Sequence, residues 1–150
     1  MSAMIFKLRG EPDQRVDLSG LVPGRLSRMS ESEIAALPVN TGKAKLTVGD
    51  TFRITMGDAS EIRIAGGSAR LDGVGAELAG GSIITEGDVG AEAGRAMTGG
   101  SLRIAGNAGP FAGSCMAGGL MTIGADAGDF LGAPKPGEMV GMRGGTITVA

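Results

Sequence analysis

Three sets of residues in this chain have the types and spacing from which chemistry is built. Cys115 is a thiol, a potential nucleophile or metal ligand. Carboxylates gather at Glu86/Asp88/Glu92 and at Asp126/Asp129, and stacked carboxylates of this kind suit a hydrated cation. Glycine-rich runs at Gly73–Ala76, Gly87–Gly94 and Gly106–Gly113 invite comparison with phosphate-cradling loops. Each set has a plainer reading. The chain contains no histidine, so it cannot assemble a Ser-His-Asp or Cys-His device or a His-based metal site by itself. An unactivated Cys115 is expected to be a small core or half-buried residue. Asp88 and Asn107 both follow a repeated glycine, with Asp126 next. That mixed Asp/Asn/Asp identity fits turn chemistry better than a calcium repeat, which needs stricter aspartate periodicity. No helix and no Gly-Lys-Ser/Thr follow the glycine runs, so corner geometry explains them. The residues therefore predict no catalytic, cofactor-binding or metal-ligating site in this chain.

The elements that hold these residues are foreshadowed by the composition. Of 150 residues, 29 are glycine, and four phenylalanines are the sole aromatics. Glycine is thus nearly three times its usual share of roughly 7%. Hydrophobic residues make up 42%, too many for a disordered glycine linker. A folded chain of this kind needs small repeated turns and closely stacked backbone. Fourteen basic and 16 acidic residues are mixed along the chain, for a net charge of −2. That excludes the electrostatic footprint of a nucleic-acid binder, and missing Tyr and Trp remove stacking platforms. The single cysteine fits a reducing compartment. With no apolar signal-peptide core and no run near the ~20 apolar residues of a membrane span, a soluble cytoplasmic protein is expected.

Repetition begins near residue 41. Double glycines at Gly66-Gly67, Gly80-Gly81, Gly99-Gly100, Gly118-Gly119 and Gly144-Gly145 lie 14, 19, 19 and 26 residues apart. The last unit carries an insertion around Pro134–Met139, expected to loop outside the stack. A strand signal follows each double glycine: Ser68–Leu71, Ser82–Thr85, Ser101–Ile104, Leu120–Ile123 and Thr146–Val149. Alternation pairs Ala69 with Leu71, Leu102 with Ile104, Met121 with Ile123, and Ile147 with Val149. A glycine ladder comes next: Gly87, Gly90 and Gly94, then Gly106, Gly109 and Gly113, then Gly128 and Gly132 with Ala125 in the first place. Leu78, Met97, Met116 and Met142 each stand two residues before a double glycine and should form one internal column. Leu46-Thr47-Val48, Phe52-Arg53-Ile54 and Ile62-Arg63-Ile64 read as less regular members of the same pattern. Arg63, Arg70 and Arg103, each among apolar neighbours, belong on the outer face as solvent edges or partner contacts. Units of about 19 residues with glycine corners predict an all-β fold, a right-handed parallel β-helix (β-solenoid), over 41–150.

Residues 1–40 predict a small N-terminal α/β cap segment. Met4–Arg9 alternates as a strand with Phe6 and Leu8 on one face. Ser30 and Glu33 have capping-box spacing, and Met29 and Ile34 the spacing of a hydrophobic staple. The helix predicted over Glu31–Leu37 stops at Pro38.

At this point the chain resembles a known family. Ser32-Glu33-Ile34-Ala35-Ala36-Leu37-Pro38-Val39 leads into Val48-Gly49-Asp50-Thr51-Phe52-Arg53-Ile54, followed by the double-glycine units. The pattern looks like the C subunit of formylmethanofuran dehydrogenase and of its bacterial relative, the formyltransferase/hydrolase complex. The glycine repeat also resembles the C-terminal domain of the glutamate synthase large subunit, whereas E-I-A-x-L-P-V followed by G-D-x-F-x-I favours the C subunit. Wording rich in Ala, Gly and Arg is at home in a methylotrophic bacterium and favours the hydrolytic complex. The resemblance implies one-carbon metabolism: a formyl group passes from a tetrahydromethanopterin carrier to methanofuran, and formate is released. It implies a scaffold role for this chain. Formyltransferase and amidohydrolase-like partner subunits would handle the carriers, with no cofactor held here. Outer strand faces and the exposed coil end would be docking surfaces. The alternatives are the C subunit of a molybdenum/tungsten dehydrogenase and a glutamate-synthase-type structural domain. Family members continue through more coils, so the stop at Ala150 implies a short variant or part of a longer polypeptide.

Overall fold

Short runs of alternating apolar residues bounded by glycine can satisfy their backbone only by pairing with a neighbour of the same kind. The computed structural model, which describes residues 3–12, 14–39, 46–129, 131–133 and 142–149, shows that outcome. In chain order the elements are β1 (Ala3–Leu8), β2 (Val16–Asp17), α1 (Pro23–Leu26), α2 (Glu31–Ala35), α3 (Val48–Thr51), β3 (Phe52–Thr55), β4 (Asp58–Ala65), β5 (Leu71–Asp72), β6 (Ser82–Thr85), β7 (Ser101–Ile104), β8 (Ala117–Ile123) and β9 (Gly144–Val149). A seven-stranded sheet runs in the order β3-β1-β4-β6-β7-β8-β9, and β2 pairs with β5 separately. Every pairing between these strands is parallel except β1 with β3. The protein is a parallel β-helix with a small helical segment at its N-terminal end.

Register shows how the coils stack. Ser82 lies beside Ser101, and Ser101 beside Leu120. The 19-residue unit is thus one full coil. Leu120 lies beside Thr146, so β9 is in register after the insertion; 134–139 itself lies outside the described residues. The first coil corrects the double-glycine reading. Glu61 lies beside Ser82 and Ile62 beside Ile83, so the coil strand is β4, and Ser68–Leu71 is not its counterpart. Gly66-Gly67 sits at the corner after that strand. A Cβ on Gly67 would strike Asp88 N and Gly87 C, so this pair matches Gly87-Asp88 and not Gly80-Gly81. Ser68 is buried, Ala69 and Arg70 turn outward, and only Leu71–Asp72 is strand, paired with β2. Two other segments differ from expectation. Leu46–Val48 leads into α3, and Phe52–Ile54 is antiparallel to β1, outside the coil repeat.

Inward-facing side chains line up from coil to coil. Ile62, Ile83, Leu102 and Met121 form one strand column, and Ile64, Thr85, Ile104 and Ile123 the next; all are buried. Thr85 is tolerated there because its hydroxyl donates to the Gly87 carbonyl at 3.4 Å. Leu78, Met97 and Met116 are fully buried as expected, whereas Met142 is 36% exposed. Arg143 N bonds Met116 O just as Ala117 N bonds Met97 O, so Met142 holds the right place in the column. It is exposed because no described residue stacks on its far side. Glycine is required where coils touch. Gly119 has φ +84°, and the Met97 Cε occupies the space a Cβ would need.

The N-terminal segment closes the other end. β1 lies parallel on β4 and β2 on β5, so this stretch mimics part of a coil. Phe6 and Phe52 are both buried and meet edge to face, centroids 6.0 Å apart. The capping box forms: Ser30 Oγ accepts from Glu33 N, and Glu33 accepts from Ser30 N. The Ser30 backbone N–H, and after it the Ser30 hydroxyl, hold the Glu33 carboxyl below its usual range. The helix ends at Ala35, two residues before the predicted Leu37. A second capping box, Thr47 with Asp50, starts α3. Gly49 lets α3 approach α2, since a Cβ would sit 3.1 Å from that of Ala35. The G-D-x-F motif therefore encodes a close helix contact, a cap and a core ring.

Equivalent glycines two coils apart supply a test. Nothing lies within 4 Å of a Cβ on Gly80, whereas one on Gly118 would strike the Thr98 carbonyl oxygen. Gly118→Ala should cost roughly 1–3 kcal/mol by overpacking. Gly80→Ala should be neutral or stabilising by up to about 1 kcal/mol, through the unfolded chain. Equal melting temperatures for the two variants would contradict the register.

Candidate functional site

The sequence-selected carboxylates do not converge. Glu86 is exposed on the outer face, and Glu92 sits at another corner, 4.0 Å from Arg95. Asp88, Asn107 and Asp126 do stack, and their oxygens are engaged between coils. Asp88 Oδ1 accepts from Asn107 N at 2.8 Å, and Asn107 Oδ1 accepts from Asp126 N at 2.8 Å. Going the other way, Val89 N donates to Asn107 O and Ala108 N to Asp126 O. Either Asp or Asn supplies the acceptor, which explains the mixed column. Asp129 is exposed, and its carbonyl accepts from Phe111 N. Among the described residues no group of three or more His, Cys, Asp or Glu could hold a metal ion.

Cys115 is half-buried, with φ +58°. Glu77, Ala96 and Cys115 share one corner, as Glu77 N bonds Arg95 O and Ala96 N bonds Ser114 O. All three adopt left-handed backbone without being glycine, as do Glu92 and Phe111 at the neighbouring corner. Arg95 Nη1 points at the Cys115 sulfur from 3.8 Å. Nothing in the composition or spacing marked these non-glycine corners.

The glycine runs are corners, and at several of their glycines the amide is already occupied. Gly90 N donates to Leu71 O, Gly94 N to Val74 O, Gly109 N to Gly90 O and Gly113 N to Ala93 O, at 2.7–3.0 Å. Amides aimed along the stack cannot also cradle a phosphate. Gly75, Gly94, Gly113 and Gly132 all have positive φ, so Gly73–Ala76 is the same corner one coil earlier.

Of the three arginines, Arg63 and Arg103 lie outward in the same row of the sheet, on either side of Ile84. Arg70 is in the outward turn instead. It donates to the Pro12 carbonyl and lies 3.9 Å from Glu11. A stronger tie to the N-terminal segment carried no motif. Arg15 forms a two-pronged pair with Asp72, both contacts at 2.7 Å, and Asp72 Oδ1 also accepts from Ala91 N. Those bonds hold the Arg15 guanidinium above its usual range, against the opposing effect of partial burial. An open apolar recess of about 540 Å³ lies beside α1, lined by Pro23, Met29 and Met56 among others. Its rim residue Asp58 accepts from the amide and hydroxyl of Ser60, the amide being the larger influence, which holds its carboxyl below the usual range.

Coil stacking of this kind can be compared with known proteins. No family model matches the chain. The C subunit of the formyltransferase/hydrolase complex Fhc of Methylorubrum extorquens is 48% identical over 85 residues, which are 57% of this chain and 32% of the relative. A crystal structure of the formyltransferase/hydrolase complex from the same organism, in complex with methylofuran, contains a chain of the same fold. It superposes with a TM-score of 0.93 at 42% identity over 97% of this chain. The chain is homologous to the C subunit of that complex. The match covers 55% of the solved chain, so this sequence spans about half of it. No helix among the described residues is long and apolar enough to cross a membrane.

The carboxylate column separates a hydrogen-bond ladder from a cation site. Asp88→Asn keeps the acceptor and should melt within about 1 °C of wild type. Asp88→Ala should lose about 1 kcal/mol, or roughly 3 °C. Added calcium or magnesium should leave the melting temperature unchanged. A cation-dependent rise abolished by Asp88→Ala would contradict the ladder.

Proposed function

We propose that this chain acts as a noncatalytic scaffold, the counterpart of the Fhc C subunit, in a cytoplasmic formyltransferase/hydrolase complex of one-carbon metabolism. The observation that carries the reading is the 42% identity sustained over 97% of the chain at a TM-score of 0.93. Two chemical features support it. A chain without histidine and with one cysteine has little with which to activate a nucleophile or hold a metal. Several of its corner amides, the Asp88 carboxylate and the Asn107 side-chain oxygen are already spent on neighbouring coils. Residues 1–40 would serve as the cap segment and 41–150 as the stacked repeat, with no catalytic, cofactor or metal residue of its own.

In this reading the formyl group moves from a tetrahydromethanopterin carrier to methanofuran and is released as formate on partner subunits. The partners are formyltransferase and amidohydrolase-like chains, with neither nucleic acid nor membrane involved. A rigid coil stack would hold those partners at a fixed separation, since each coil is locked to the next by backbone bonds. Purification of the tagged chain from its own cells tests the role. Stoichiometric recovery of a formyltransferase and an amidohydrolase-like protein is expected. Isolation as a lone, well-behaved monomer would contradict it.

A further inference from the structure

The outward face of the sheet near the N-terminal end carries more positive charge than the chain as a whole. In the antiparallel β1–β3 pair, Lys7 stands directly opposite Arg53, and both are exposed. Like charges directly opposite one another repel and weaken the pair. Arg63 continues the patch on β4, beside Ile5, and Arg103 follows on β7 beyond Ile84. With strands about 4.8 Å apart, these side chains form a band crossing five strands. Among the described residues, no carboxylate lies within 4 Å of Lys7, Arg53, Arg63 or Arg103. Lys7, Leu8, Arg9 and Arg53 also line a recess of about 220 Å³, although Arg9 spends its Nε on the Gly49 carbonyl. Half-buried Ile5 and Ile84 give the band an apolar floor, and Glu61 and Glu86 border it.

We propose that this band, Lys7, Arg53, Arg63 and Arg103 across the outer sheet face, docks a carboxylate-rich protein surface of a neighbouring subunit. The inference rests on the reading of the chain as one member of a complex, and adds the chemistry of one contact. Unpaired cations held in a repulsive register are poorly placed for the isolated chain and well placed for an anionic partner. The apolar floor suits a protein surface, which can cover Ile5 and Ile84 while its carboxylates meet the four cations. A nucleic-acid backbone fits less well: the band has no aromatic side chain, and its flanking glutamates would repel phosphates.

The test uses the full chain and its copurified partners. Affinity is measured against salt for wild type, Lys7→Glu/Arg53→Glu, Lys7→Gln/Arg53→Gln and Arg103→Gln. Charge reversal should weaken association about ten-fold or more and flatten its salt dependence. The double Gln variant should bind more weakly, yet melt at or above the wild-type temperature because the like-charge pair is gone. That opposition of stability and affinity keeps the test decisive if the reversal variant folds poorly. Unchanged affinity and salt slope in a complex that still forms would overturn the docking proposal alone. Displacement of the partner by a DNA or RNA oligonucleotide on this band would also overturn it. If the wild-type chain forms no complex, the scaffold reading falls along with it.

Discussion

Everything in this molecule depends on one kind of backbone contact, repeated from coil to coil at an offset of 19 or 20 residues. At each corner an N–H of one coil meets a carbonyl of its neighbour, as in Gly109 N to Gly90 O and Gly113 N to Ala93 O. Such bonds demand main chains lying closer than most side chains allow. A Cβ on Gly109 would strike Gly90, and one on Gly128 would strike Gly109. Glycine is abundant because the corners must touch.

The core follows from the same constraint. A coil of 19 residues leaves little interior width, so columns of Ile, Leu, Met and Ala fill it, and among the described residues the buried rings are Phe6 and Phe52 at the N-terminal end. Methionine fits because its flexible end enters the space a glycine leaves empty. Met97 reaches over Gly119, Met116 over Gly145, and Met121 into the gap beside Gly94. Glycine and methionine are therefore paired choices, one on each of two neighbouring coils. The same economy governs polar groups: Asp88 and Asn107 spend side-chain oxygens on the next coil's amide. These groups serve the stack, whereas Lys7, Arg53 and Arg103 stand exposed on the outer face of the sheet.

Much of this was legible in the residues because the period repeats in them. Strands β6 to β9, the Leu78–Met97–Met116 column and the Ser30 capping box all carry local signals that tertiary contacts reinforce. The phase of the first coil is hidden in the sequence because Gly66-Gly67 has the same composition as the strand-preceding pairs while serving a different corner. α1 and α3 are too short for periodicity, although Thr47 and Asp50 spelled the cap of α3. The Asp88 column was visible, but not that its oxygens point along the stack. Lys7 and Arg53 fall out of phase with Phe6 and Phe52, so their outward direction was readable. Their pairing across β1 and β3 was not, because it depends on a long-range register.

The stacking account is tested most directly by amide hydrogen exchange at the glycine corners. In an ordinary glycine-rich loop these amides would exchange as freely as unstructured chain. Here Gly90, Gly94, Gly109 and Gly113 should be protected to a degree comparable with Leu102 and Ile104 in the sheet. Fast exchange at those glycines beside slow exchange in β7 would contradict the account, because the coils would then be joined through the strands alone.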